Sequence, residues 1–321
     1  MKNSRMPSSI SKALLVLASL MSMPSFASDD KPIALNNKPF IVGAVSEKVK
    51  SRIKWSLPLA EYLANNLKEY GYTHGEVVVV PTLEEMAEQL KNGHVHLLPA
   101  TVYSALIYEK RADTNILVRR WKNGTPTYHS IIFGRKDGQA LNFNELNGKT
   151  VLFEQPNSNS SFFIPAVALI GQGYKLQYLK THTDKPDADK VGYMFINQQL
   201  KNSNEINISS WVYQRRADLG AFSDRNWNST EDIPNRIKQS VEIVYESSLY
   251  PRDLMISSPT LSPEMNLAIK NTLKAMHLLP EAKATLVQFQ RTSQFDELNH
   301  EMLNVIDEAR QHLSKIEALQ K

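Results

Sequence analysis

The chain contains no cysteine. That excludes a disulfide scaffold, a cysteine nucleophile and an anchor lipidated at an N-terminal cysteine. Beyond the N-terminus no segment approaches the roughly 20 apolar residues needed to span a bilayer. The patterns G-x-S-x-G, H-E-x-x-H, G-x-x-x-x-G-K-[ST] and G-x-G-x-x-G do not occur, so nothing points to a hydrolase elbow, a zincin, a P-loop or a dinucleotide fold. Gly171-Gln172-Gly173 follows a helical run, where glycine serves as a C-cap. No enzyme is read from this sequence. Concentrated positive charge is also lacking: Arg119-Arg120-Trp121-Lys122 is a short run, too small for a nucleic-acid surface, and nucleic acid is not an expected partner.

What is present begins with a leader. Lys2, Arg5 and Lys12 precede an apolar stretch Ala13–Leu20, and Ser25 and Ala27 provide small residues for cleavage. This is a basic, apolar, small-residue signal peptide over 1–27. The mature protein is expected to be soluble outside the cytoplasm, most simply in a periplasm, without a lipid anchor. The leader carries three of the 37 Lys and Arg and none of the 33 Asp and Glu, so the mature chain is close to neutral. The remainder exceeds one domain of about 100–200 residues, and its length suggests two.

Periodicity implies alternating strands and helices. Phe40–Val45 reads as a buried strand. Trp55–Tyr70 follows as an amphipathic helix with Leu59, Tyr62, Leu63 and Leu67 on one face. Val77–Val80 is β-branched throughout, as in a parallel strand covered on both faces. Helices are expected at Leu83–Lys91 and Val102–Arg111 with a strand at Val95–Leu98 between them. A new block opens with a strand at Tyr128–Phe133, a turn and short helix at Leu141–Leu146, a strand at Val151–Glu154, a strand or strand-to-helix segment at Val191–Ile196, and strands at Asp218–Phe222 and Ile243–Tyr245. From Ser262 the chain reads as helical almost to its end, with a break at Leu279-Pro280. The implied fold is α/β, with the middle block inserted into the first.

Val151–Pro165 carries the chemistry. A strand (VLFE) leads through a polar turn to an apolar run that begins like a helix. The first N–H groups of a helix lack partners and its dipole is positive there, so such a start attracts anions. Ser158, Ser160 and Ser161 could add hydroxyl donors. An ordinary N-cap, needing no ligand, explains the same residues. Tyr103 lies at a strand end and helix start, where α/β sheets bind ligands, and is equally open to a packing role. His94 and His96 alternate on a strand but lack further ligand-type neighbours, so no metal is expected.

Taken together, several segments resemble the phosphate/phosphite/phosphonate substrate-binding proteins of ABC importers. They are Tyr128-His129-Ser130, Arg135-Lys136-Asp137, Leu146-Asn147-Gly148-Lys149, Phe153-Glu154, Ser158–Ser161 with Pro165, Val191–Phe195, Arg216–Ala221 and Tyr250-Pro251-Arg252. The resemblance implies a two-lobe type II periplasmic-binding-protein fold, each lobe a mixed sheet flanked by helices, with the ligand cleft between them. Lobe 1 would comprise 28–126 plus 246–321, including a helical C-terminal tail, and lobe 2 would comprise 127–245. It further implies capture of a small anionic solute such as phosphate, phosphite or a phosphonate by lobe closure, with delivery to an inner-membrane ABC permease and no cofactor. The implied ligand-binding residues are Ser158, Asn159, Ser160 and Ser161, with Thr101 and Tyr103 from lobe 1, Tyr128 and His129 from the hinge side, and Asp224 as an acceptor. The chain departs from the family pattern at Asn159 and Ser161, where Thr and Gly are usual, at His96 in place of Asp, and over Ile196–Leu200. Those departures leave open a second role, as a periplasmic partner of a membrane sensor protein.

Overall fold

The computed structural model describes residues 37–136 and 141–320. The leader expected over 1–27, and Asp137 of the expected Arg-Lys-Asp turn, lie outside them. Strand β1 (Lys38–Val45) runs into helix α1 (Val49–Asn66), which returns the chain to β2 (Tyr72–Val80). β1 and β2 pair in parallel, with Val42 opposite Val77 and Val45 opposite Val80. Thr82 starts α2 (Leu83–Lys91) by accepting the Glu85 N–H on its hydroxyl. β3 (Leu97–Ala100) then pairs in parallel on the other side of β1. Thr101 caps α3 (Val102–Ala112), and β4 (Asn115–Arg120) follows.

The chain crosses at β5 (Thr127–Tyr128) and builds a second sheet from β6 (Ser130–Arg135), β7 (Thr150–Phe153), β8 (Lys175–Tyr178), β9 (Lys190–Phe195), β10 (Leu219–Ser223) and β11 (Val241–Glu246). Its order is β11-β6-β10-β7-β9-β8, with β6 antiparallel to both its neighbours. Helix α4 (Ile164–Gly171) links β7 to β8. The return strand β12 (Tyr250–Pro251) pairs with β5, Tyr250 opposite Tyr128, so two adjacent extended segments join the sheets. β13 (Leu254–Ser257) then inserts antiparallel between β3 and β4, and β14 (Phe295–Asp296) closes the far edge. The first sheet reads β14-β4-β13-β3-β1-β2.

One apolar core lies on the α3 and α4 side of both sheets, under the long C-terminal helix His300–Ala318. Separate cores fill the opposite faces, against α1 and Pro263–Ala275 in the first sheet and against Glu205–Tyr213 in the second. No helix among the described residues is long and apolar enough to cross a membrane.

Three expectations change. Leu141–Leu146 keeps the expected turn but not the short helix. The strand expected from Tyr128 is divided at His129 into β5 and β6. The C-terminal helical stretch is interrupted by β14, held by the Arg119 guanidinium on the Asp296 carboxylate (Nε to Oδ1, 2.8 Å).

Candidate functional site

Two helix starts face each other across the sheets. On the first sheet, Thr101 ends β3 and caps α3, its Oγ1 lying 2.9 Å from Ser104 Oγ. On the second, β7 gives way to a turn at Gln155–Asn157, and Ser158 Oγ accepts the Ser161 N–H at 3.2 Å. The turn that follows, Asn159–Phe163, is π-helical, with the Phe163 N–H reaching back to the Ser158 carbonyl at 3.0 Å. Pro165 has no N–H to give to the carbonyl five residues earlier, Ser160. That carbonyl instead accepts the Ser130 hydroxyl from β6 at 2.6 Å. Single π-turns of this kind recur at functional sites.

Asn159 joins the two starts. Its Oδ1 accepts the Tyr103 N–H at 2.8 Å, and its Nδ2 donates to the Tyr128 hydroxyl. The amide carbonyl thus meets the positive end of α3, the place an oxyanion would favour. Asn159 is 6% exposed and Tyr128 1%. Burial pushes the Tyr128 hydroxyl up to about 12, so it remains a neutral group at physiological pH. The Tyr103 ring packs on Phe163 with centroids 4.7 Å apart, and its hydroxyl donates to Gln320 Oε1 at 2.7 Å.

The other candidates divide between this seam and the interior. Ser158 is buried as the cap and hydrogen-bonds Glu154, whose carboxyl is raised by burial. Ser160 is half-buried at the seam. Ser161 turns inward: its hydroxyl donates to the Ala221 carbonyl (2.5 Å) and accepts the Glu154 N–H (2.8 Å), stitching β7 to β10. His129 Nδ1 lies 2.6 Å from the Ser247 carbonyl, which fixes the proton on that nitrogen, and Nε2 is 3.7 Å from Glu246. Asp224 donates its N–H to the His129 carbonyl at 2.9 Å, and its Oδ1 is buried without a hydrogen-bond partner. Tyr103 and Tyr128 therefore meet at Asn159, between Ser158 and Ser160, while Thr101 caps α3 with its hydroxyl on Ser104 and His129 and Asp224 are paired through the backbone at the adjoining strand ends.

Two features escaped the sequence. Gln320, at the chain's far end, bonds Tyr103 and, through Nε2, the Pro156 carbonyl, bridging both helix starts. Beside Thr101 lies a cavity of about 190 Å³ lined in part by Arg52, Arg120, Lys122 and Asp253. The only sequence trace of the latter is the basic run at 119–122, which shows no partner in its own neighbourhood.

Comparison with known proteins fits this architecture. Residues 44–303 match the family described as ABC transporter, phosphonate, periplasmic substrate-binding protein. The chain belongs to this family. By that description its members are the periplasmic substrate-binding components of phosphonate ABC transporters, solute-binding transport proteins and not enzymes. Among solved structures, XAC2383 from Xanthomonas citri, bound to chloride, superposes with a TM-score of 0.75 at 22% identity, covering 87% of this chain and 99% of that one. The same protein bound to ATP gives 0.75 at 21%, covering 87% and 98%. PhnD1 from Prochlorococcus marinus, in complex with methylphosphonate, gives 0.56 at 14%, covering 87% and 100%. The fold is the two-lobe type II periplasmic-binding-protein fold that the sequence led us to expect.

Proposed function

We propose that the chain is the solute-binding component of an ABC importer. It captures a small oxyanion such as phosphate, phosphite or a phosphonate by lobe closure and passes it to an inner-membrane permease. Lobe 1 is assigned to 28–126 plus 246–321 and lobe 2 to 127–245, with a leader over 1–27 that directs the protein to the periplasm without a lipid anchor. The observation that carries this reading is the meeting of two helix starts at one side chain, Tyr103 N–H to Asn159 Oδ1. Two positive dipole ends and neutral hydroxyls converging from opposite lobes suit an anion that bridges them on closure. Chloride and ATP in the Xanthomonas protein and methylphosphonate in the Prochlorococcus protein are all anions, in keeping with this role.

A thermal-shift screen of the mature protein with phosphate, phosphite, alkylphosphonates, sulfate, sulfonates, ATP and amino acids tests it. A ligand at about 100 times its Kd stabilises by about 2.7 kcal/mol, a shift of a few degrees. A shift confined to oxyanions is expected; a flat panel would refute the assignment. A role beside a membrane sensor is favoured by one specific feature: Asn159 makes, from within the chain, the bonds an oxyanion would take. Recovery of a sensor protein rather than a permease in a periplasmic pull-down would select that role.

A further inference from the structure

The cavity beside Thr101 is built entirely from elements of the first sheet: the ends of β1 and β3, the start of α3, Arg52 of α1, Arg120 of β4, and Lys122 and Asp253 nearby. Arg120 is 1% exposed. It has five N–H donors; Nη2 serves both Asp253 and Gln290 Oε1, the latter at 3.0 Å, while its plane lies 4.3 Å from the Phe289 ring centroid. Nε and Nη1 have no hydrogen-bond partner. Arg52 Nε and the hydroxyl of Tyr108, itself 1% exposed, are unpartnered as well, and all three side chains line the same cavity. Native interiors leave few such groups unmet, because an unmade bond on a buried cation is costly. Four of the cavity's unmet groups can donate; the one acceptor among them, Asp253 Oδ2, is held by its ion pair with Arg120, and the lining holds three cations against that single carboxylate.

We propose that this cavity is a binding site for a compact dianionic oxyanion, a phosphate, phosphonate or sulfate headgroup, gripped by Arg52, Arg120 and Lys122 with the Tyr108 hydroxyl. Net positive charge of about two matches a dianion. Planar guanidinium forks suit tetrahedral oxyanions, and the capped start of α3 at Thr101 adds its dipole. The volume, about 190 Å³, lies below the roughly 300–1,000 Å³ of drug-sized ligand pockets, so a headgroup fits and a bulky ligand leaves its remainder outside. Because no lining residue comes from the second sheet, the anion is held by lobe 1 alone, and binding there does not require closure. It is thus a second oxyanion site, separate from the seam at Asn159 where closure captures the solute, and it rests on the oxyanion-receptor reading above.

Isothermal titration calorimetry of the mature protein with inorganic phosphate, sulfate and methylphosphonate tests the site. The variants are Tyr108→Phe, which removes only the orphan hydroxyl, and Lys122→Met, with Ser160→Ala in lobe 2 for comparison. Loss of the charged partner is expected to weaken binding about tenfold or more, and loss of the hydroxyl about 2–10-fold. Tyr108→Phe should keep the wild-type melting temperature or raise it, which separates a binding role from a packing role. Wild-type binding that both cavity variants leave unchanged would overturn the lobe 1 site, and the oxyanion-receptor role would survive. A wild-type protein that binds none of the three anions would refute the receptor role and the site together.

Discussion

At the scale of single residues, His96 makes the stability of the fold depend on pH. It is 8% exposed, packed among Phe40 and Tyr72, and its Nδ1 accepts the Ile41 N–H at 2.9 Å. Burial, aided by Lys38, lowers its pKa from 6.5 to about 4. The folded chain keeps the ring neutral while the unfolded chain gains a proton below about pH 6.5. Its contribution is complete above that pH and is lost as pH falls toward 4, on the order of 3 kcal/mol in total. His96→Asn retains an acceptor for Ile41 and removes the titration. Urea unfolding at pH 7 and pH 4.5 should show a smaller difference for the variant than for the wild type. Asn159 offers a second test at this scale. Asn159→Thr removes the internal amide from α3, and oxyanion affinity should rise about 2–10-fold, the worth of one displaced hydrogen bond; calorimetry on both proteins reads it directly. An unchanged Kd would mean that anion and Asn159 do not compete.

At the scale of elements, local signals were well read and non-local ones were not. The parallel strand at Val77–Val80 and the helices α2 and α3 were legible from β-branching, 3.6-residue periodicity and glycine stops. β4, β13 and β14 went unread because their identity depends on pairing: Leu254 lies against both Ala100 and Arg119, and Phe295 against Arg120. The site divides in the same way. Ser158 and Asn159 sit in a contiguous strand–turn–helix and could be singled out, whereas Arg52, Tyr108, Arg120 and Asp253 converge from four separate segments with no common spacing. The packing of α1 on β2 offers a test at this scale. A Cβ on Gly75 would fall 2.2 Å from the backbone nitrogen of Glu61, and neither backbone can yield cheaply. Gly75→Ala is expected to destabilise the fold by about 1–3 kcal/mol in urea denaturation. A variant as stable as the wild type would show that α1 can lift away from the sheet.

For the whole molecule, the C-terminal helix straps the lobes. It packs on α3 and α4 together, Glu317 pairs with Lys110 and Arg111, and the Tyr193 hydroxyl donates to the Leu319 carbonyl while Gln320 reaches Tyr103 and Pro156. Gln320→Ala removes two of these links at the mouth of the seam. Small-angle scattering should report a larger radius of gyration for the variant, with unfolding free energy changed by less than about 1 kcal/mol, as for other partly exposed hydrogen bonds. An unchanged scattering profile would place the restraint in the β5–β12 hinge instead.

The position of β13 has a consequence for the order in which the protein can be made. This strand fills the gap between β3 and β4, yet it follows every strand of the second sheet in the chain. As the polypeptide emerges from its N-terminus, the first sheet is left with two unpaired inner edges until residue 257 has appeared. The second sheet, drawn from one uninterrupted stretch between Ser130 and Glu246, has all its strands earlier. The domain that begins first is therefore completed last, and a nascent chain halted before Leu254 would carry a finished second lobe beside an open, aggregation-prone first one.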